Sequence, residues 1–233
     1  FNGTSAPGAG GFDLMHNLLQ AQAFRLAFWR VASDEINYRR FFDINTLAAV
    51  RVEDPRVFGA IHGLLRSLIE SGRVSGVRID HPDGLFDPAE YFARLRQLGA
   101  EAQPAGSGPL YVLAEKILSG REQLPADWEV DGTTGYEFLN DVAGLFIDAR
   151  GARRVLAAYQ RFTGREKGWE SIVRRSKRLI MDTAMASELG VLADALERLA
   201  ARDRCWPDFT SRSLRDAIVA LVACFPVYRT YIT

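Results

Sequence analysis

The sequence predicts an α/β fold with an inserted, mainly helical subdomain, and four observations predict it. Val74 to Asp80 reads as a short strand, because β-branched Val74, Val77 and Ile79 follow Gly72 and alternate in part with polar residues. Leu110 to Ala114 is a near-continuous apolar run that leads into Glu115-Lys116, which suits a strand buried on both faces of a parallel sheet. A helical pattern lies between them from Pro88 to Leu98, so the order is strand, helix, strand. After residue 137 no strand pattern interrupts roughly 85 residues up to 222, far longer than an ordinary crossover.

The elements follow in order. Asn2 to Gly11 is a glycine-rich flexible entry. Leu14, Leu18, Ala21, Leu26 and Trp29 recur at helical spacing and predict one long helix from Phe12 to Ile36. The loop Asn37 to Asp43 crowds paired arginines beside three aromatics and an acid. It reads either as a packed loop with an internal Arg–Asp pair or as a ligand-facing loop. Asp54-Pro55 is an N-cap with proline at the first helical position, and that helix runs to Gly72. Strand 74–80 comes next. Gly132 to Tyr136 is a glycine-flanked loop suited to closing over a ligand or to a plain turn. Helical patterns then cover Phe138–Ala158, Glu170–Arg202 and Ser213–Val222, and Cys224 to Ile232 has strand character. The implied boundaries are a partial catalytic barrel over 1–136, a helical subdomain over 137–222 and a returning strand over 223–233.

Composition limits the function. With 233 residues the chain can bury a substantial core. Lysine plus arginine equal aspartate plus glutamate at 29 each, so electrostatics favours neither nucleic acid nor an anionic membrane as partner. The basic run Arg174, Arg175, Lys177, Arg178 reads as a solvated helix face. Cys205 and Cys224 are too few for a disulfide framework, which fits a reducing compartment. No apolar run is long enough for a transmembrane helix. The chain starts at Phe1, which predicts that it is processed or cut from something longer.

The chemistry concentrates at two acidic strand ends. Arg78, Asp80, His81 and Asp83 place four ionisable groups within six residues, and Glu115 ends the next strand 35 residues after Asp80, about one βαβ unit. An aspartate after a strand also serves as a plain helix N-cap, but two acidic strand ends in one unit point into one cleft. Two facing carboxylates suit retaining glycosyl chemistry, in which one attacks the sugar and the other protonates the leaving oxygen. Arg78, two residues before Asp80 on the same strand face, favours the charged nucleophile. A metal site built from Asp80, His81, Asp83 and Glu115 is the weaker alternative, since alternation turns His81 away and no second histidine is near. No G-x-S-x-G elbow and no P-loop is present.

At these residues the sequence resembles a known family. GVRIDHPDGL at 76–85 is similar to the nucleophile segment of the α-amylase superfamily, with its Gly-x-Arg-x-Asp pattern. AEKIL at 114–118 resembles the acid/base segment of its maltooligosyltrehalose synthase branch. DEINYRRFFDIN at 34–45, GTTGYEFLN at 132–140 and ACFPVYRTYI at 223–232 resemble the same branch. The resemblance implies part of a (β/α)₈ barrel and an intramolecular transglycosylase that turns the reducing-end α-1,4 linkage of a maltodextrin into an α,α-1,1 linkage. It implies Asp80 as nucleophile and Glu115 as general acid/base. Arg78, His81, Lys116, Tyr38 and Arg39 are the implied substrate-side residues. It further implies no metal or other cofactor, a maltooligosaccharide partner, and a cytoplasmic location. The early Asp-x-x-x-Asn-His segment and a third catalytic aspartate are not matched, so the expectation is a central, inactive fragment. An α-1,4-glucan hydrolase and a non-catalytic carbohydrate-binding piece remain as alternatives.

Overall fold

The computed structural model describes residues 12–120, 122–165, 168–202 and 209–232. The expected flexible entry Asn2–Gly11 and Cys205 lie outside the described residues. The chain divides into two units, one of Phe1–Leu47 with Trp169–Phe225 and one of Ala48–Gly168 with Pro226–Thr233. This division differs from the expected boundaries of 1–136, 137–222 and 223–233. The helices between residues 136 and 163 fall in the unit that holds the three-stranded parallel sheet, and the N-terminal segment falls with the later helices.

The first unit opens with α1 (Asp13–Gln20), a short 3₁₀ turn at Trp29–Val31 and α2 (Ala32–Glu35). The predicted long helix is therefore broken. None of α1's residues is buried, and helices in proteins owe most of their stability to tertiary packing of an apolar face, which the stretch after Gln20 lacks as well. The Asn37–Asp43 loop is not irregular either. It contributes to a hairpin of β1 (Arg40–Phe41) and β2 (Ile44–Ala48), with Phe42 at φ 51° in the turn.

In the second unit, α3 (Pro55–Ile61) and α4 (Gly63–Glu70) replace one predicted helix. Asp54 caps α3 by accepting from the Arg56 N–H at 2.9 Å. The break falls at buried His62, whose ring nitrogens meet the Phe58 carbonyl at 2.8 Å and the Tyr91 hydroxyl at 2.9 Å. Gly72, at φ 68°, ends α4 in the left-handed conformation that glycine adopts without strain. β3 (Gly76–Ile79), α5 (Pro88–Ala102) and β4 (Tyr111–Ala114) form the predicted parallel crossover, with Gly76 opposite Tyr111 and Ile79 opposite Ala114. Asp87 caps α5, accepting from the Glu90 N–H at 2.9 Å.

β5 (Gly132–Thr133) adds a third parallel strand beside β4, so the order is β3-β4-β5. β4 alternates instead of burying both faces: Val112 and Ala114 are buried while Tyr111 is exposed. The core is built from Phe92, Leu95 and Leu98 of α5, Leu110, Val112 and Ala114 around β4, Ile69 of α4, and Trp128. Among the described residues the sheet does not close into a barrel. α6 (Tyr136–Leu145) and α7 (Ala152–Thr163) follow, separated by a turn that Asp148 caps through the Arg150 N–H at 3.0 Å.

The first unit resumes with α8 (Trp169–Thr183), α9 (Ala186–Ala200) and α10 (Ser211–Cys224) around Met181, Leu189 and Ala223. The predicted single helix over 170–202 breaks at Ala184-Met185, and the break leaves the Ala184 carbonyl to accept from Arg40 at 2.6 Å. Buried Arg40 also donates to Glu188 at 2.8 Å and to the Asp43 carbonyl at 3.3 Å, so this loop is packed through its arginine. Residues 225–232 do not form the returning strand. Pro226 has no N–H to give a ladder, and the segment is tied down by its side chains.

Candidate active site

Strand ends set the geometry. The last ladder contact is the Glu115 N–H donating to the Ile79 carbonyl at 2.8 Å. Asp80 and Glu115 are therefore each one residue past the C-terminal ends of neighbouring parallel strands. Arg78 on β3 joins them. One of its terminal nitrogens lies 2.9 Å from Asp80 Oδ1 and the other 2.9 Å from Glu115 Oε1. Glu115 is the more enclosed, at 21% side-chain exposure against 64% for Asp80.

His81 follows Asp80 in the left-handed region, at φ 43° and ψ 55°. Such a conformation is costly for a side chain with a Cβ and persists where surrounding contacts hold it. Its N–H donates to Glu115 Oε2 at 3.0 Å, so Glu115 is held through both oxygens. The His81 ring meets the Tyr228 hydroxyl at 3.2 Å. Gly84 makes room for that ring: a Cβ there would lie 2.7 Å from His81 Nδ1. Among the described residues no group of three or more His, Cys, Asp or Glu side chains is arranged to hold a metal ion.

Lys116, expected on the substrate side, is only 2% exposed. Its ammonium lies 3.1 Å from Asp83 and 2.9 Å from Glu122, and Asp83 also accepts from the Tyr231 hydroxyl. Burial is the largest single influence on Lys116 and acts downward. Its hydrogen bonds to Glu122, Tyr231 and Asp83 outweigh it and hold the ammonium above the usual lysine range. Sequence reasoning did not single out Glu122, Tyr228, Arg229 or Tyr231 for this neighbourhood. The Tyr-Arg-x-Tyr spacing at 228–231 is the signal the sequence offers for three of them.

Tyr38 and Arg39 belong to the first unit. The Tyr38 hydroxyl donates to the Asn45 carbonyl at 2.6 Å, and its side chain borders a cleft of about 1080 Å³ with Phe28, Trp29 and Ile36. Arg39 is exposed beside it in the chain.

No protein-family model matches the sequence. A Mycobacterium tuberculosis (strain ATCC 25618 / H37Rv) protein that carries the name "Putative maltooligosyl trehalose synthase" is 42% identical over 131 residues, 56% of this chain and 16% of the relative. The structure of maltooligosyltrehalose synthase from Arthrobacter ramosus matches 99% of this chain and 27% of its own, with a TM-score of 0.79 and 33% identity. A hypothetical maltooligosyl trehalose synthase of Sulfolobus tokodaii matches 95% of this chain and 26% of its own, with a TM-score of 0.74 and 33% identity. The chain is thus homologous to a segment of these synthases and spans about a quarter of the length of the solved ones. No helix among the described residues is long and apolar enough to cross a membrane.

Proposed function

We propose that this chain carries two catalytic carboxylates of a maltooligosyltrehalose synthase, with Asp80 as nucleophile and Glu115 as general acid/base. The observation that carries the reading is Arg78, whose guanidinium holds both carboxylates at neighbouring strand ends. Retaining glycosyl transfer uses carboxyl groups about 5–5.5 Å apart, and a shared guanidinium keeps a pair close on that scale. The left-handed His81, with its N–H on Glu115, supports the same reading as strain kept at a working site.

The reaction follows from the pair. Asp80 attacks the anomeric carbon next to the reducing-end glucose while the bond from that carbon to the leaving oxygen breaks. Glu115 gives its proton to that oxygen. The released glucose stays bound and presents its own anomeric hydroxyl. Glu115 takes the proton from this hydroxyl as its oxygen displaces Asp80, forming the α,α-1,1 linkage. Two inversions at one carbon retain its configuration. Arg78 orients Asp80 throughout, and the maltodextrin is the partner. Among the described residues the sheet is three-stranded with β3 and β5 at its edges, so the proposal includes that this chain alone does not turn over.

The test uses the full-length protein that contains this chain, given maltopentaose. The proposal expects reducing ends to disappear without release of glucose or shorter maltodextrins. A rise in reducing ends identifies a glucan hydrolase instead, and unchanged maltopentaose identifies a non-catalytic piece.

A further inference from the structure

The roles of Asp80 and Glu115 leave a buried polar cluster unused. Asp83, with 8% side-chain exposure, accepts from Lys116 at 3.1 Å and from the Tyr231 hydroxyl, and Lys116 also reaches Glu122 at 2.9 Å. Withdrawing such charges from water is costly, and apolar replacements of buried ion pairs are often neutral or stabilising. Stability alone therefore gives no account of the cluster.

Its position does. Asp83 sits in the single turn Pro82–Gly84, three residues after Asp80, and Lys116 directly follows Glu115. The cluster thus ties the Asp80 turn to the strand end that bears Glu115. The segment 226–232 seals this link from far along the chain. Arg229 donates to the carbonyls of Asp83 and Leu85, both at 2.7 Å, and its guanidinium lies 4.9 Å from the centre of the Tyr231 ring. The Tyr231 ring packs edge-on against Trp128 at 5.3 Å, which anchors it to the core of its unit. Tyr228 reaches the His81 ring, so three side chains of one strap act on one turn.

We propose that Asp83 and Tyr231 are positioning residues. Their partly buried hydrogen bond, with Lys116, locks the Pro82–Gly84 turn against the Glu115 strand end, and so sets where Asp80 stands relative to the bond that Glu115 protonates. The inference rests on the reading of Asp80 and Glu115 as the catalytic pair. Asp83 and Tyr231 act on where the carboxylates stand.

The test is made in the full-length protein with maltopentaose. Tyr231→Phe deletes only the hydroxyl and keeps the ring on Trp128. The expected result is a fall in kcat of about tenfold, since small misplacements of catalytic groups carry penalties of that order, with KM unchanged within about twofold and Tm preserved. Asp83→Ala is expected to fall further, and Asp83→Asn, which keeps an acceptor for Tyr231, to recover part of the loss. Wild-type kcat in Tyr231→Phe overturns the proposal, as does a loss matched by an equal loss of folded protein. If Tyr231→Phe does not fold, the Asp83→Asn and Asp83→Ala pair decides: equal kcat in the two overturns the proposal. Asp80→Asn is run alongside. Turnover retained there overturns the catalytic reading itself, which separates that failure from a failure of the strap.

Discussion

One guanidinium holds both candidate catalytic carboxylates: Arg78 lies 2.9 Å from Asp80 and 2.9 Å from Glu115. The contact needs two nitrogens in one plane, which lysine does not have. Arg78→Lys in the full-length protein is expected to lower kcat by about 10²-fold, comparable to losing one preorganised electrostatic contact. Stability should change by no more than about 1 kcal/mol, because Arg78 and Asp80 are both substantially exposed and water screens the pair. Steady-state kinetics with a parallel thermal melt checks this. Unchanged kcat would remove Arg78 from the mechanism.

Asp80→Asn is expected to abolish turnover while maltodextrin binding survives. Glu115→Gln should slow natural substrates but spare a glycosyl donor with a good leaving group, which needs no proton for departure. Assaying Glu115→Gln on both donor types decides the matter. Equal losses on the two would contradict the acid role.

The isolated chain 1–233 is expected to yield no trehalose-terminated product, because charge stabilisation in the transition state needs the whole constellation in place. Product analysis on material free of the full-length protein checks it. Steady formation of that product would show that the described groups suffice.

Tyr91 and Tyr231 should titrate late. Burial pushes the Tyr91 phenol up to about 12. Burial, followed by the bond to Asp83, does the same for Tyr231, also to about 12. An unfolded tyrosine titrates near pH 10, at about its reference value. The folded state therefore favours the protonated phenols. Their contribution to stability is full below about pH 10 and is lost as the pH climbs from there through about 12. The raised value of Lys116 acts in the same direction on the alkaline side. Absorbance at 295 nm, compared between native and denatured chain, should show a delayed phase that Tyr91→Phe and Tyr231→Phe each reduce. Native tyrosines that all titrate near pH 10 would contradict the assignment.

Gly99→Ala should destabilise the sheet-bearing unit. The added Cβ would lie 2.7 Å from Leu110 Cβ, an atom fixed to the backbone of the neighbouring segment. Overpacking of this kind costs about 1–3 kcal/mol, more than the up to about 1 kcal/mol that alanine returns in helix propensity. A thermal melt that rises with the substitution would show that α5 and Leu110 can separate freely.

The crossover from β3 through α5 to β4 was legible because its signals are local. Asp54 caps where the sequence predicts, and the Arg78–Asp80–Glu115 grouping follows from the length of one βαβ unit. β5 was not legible, since a strand of two residues has no period to detect. The helix breaks at His62 and Ala184-Met185 depend on partners far along the chain, Tyr91 for one and Arg40 for the other. Lys116 illustrates the same limit. The resemblance implies a side chain facing substrate, and its burial is decided by Asp83, Glu122 and Tyr231. Residues 224–232 have the composition of a strand, yet the side chains of Tyr228, Arg229 and Tyr231 do the tethering that a ladder would have done.

The Arg40–Glu188 pair spans 148 residues of chain, and this bears on synthesis. Translation proceeds at about 5–20 residues per second, so Arg40 leaves the ribosome some 7 to 30 seconds before Glu188 exists to receive it. During that interval the whole segment from Ala48 to Gly168 is made and can fold first. Arg40, buried in the folded chain, meanwhile waits for the carboxylate that it pairs with. Slower translation between residues 48 and 188 lengthens that wait, so the closing of the Arg40 site is timed by the synthesis of residues that belong to the other unit.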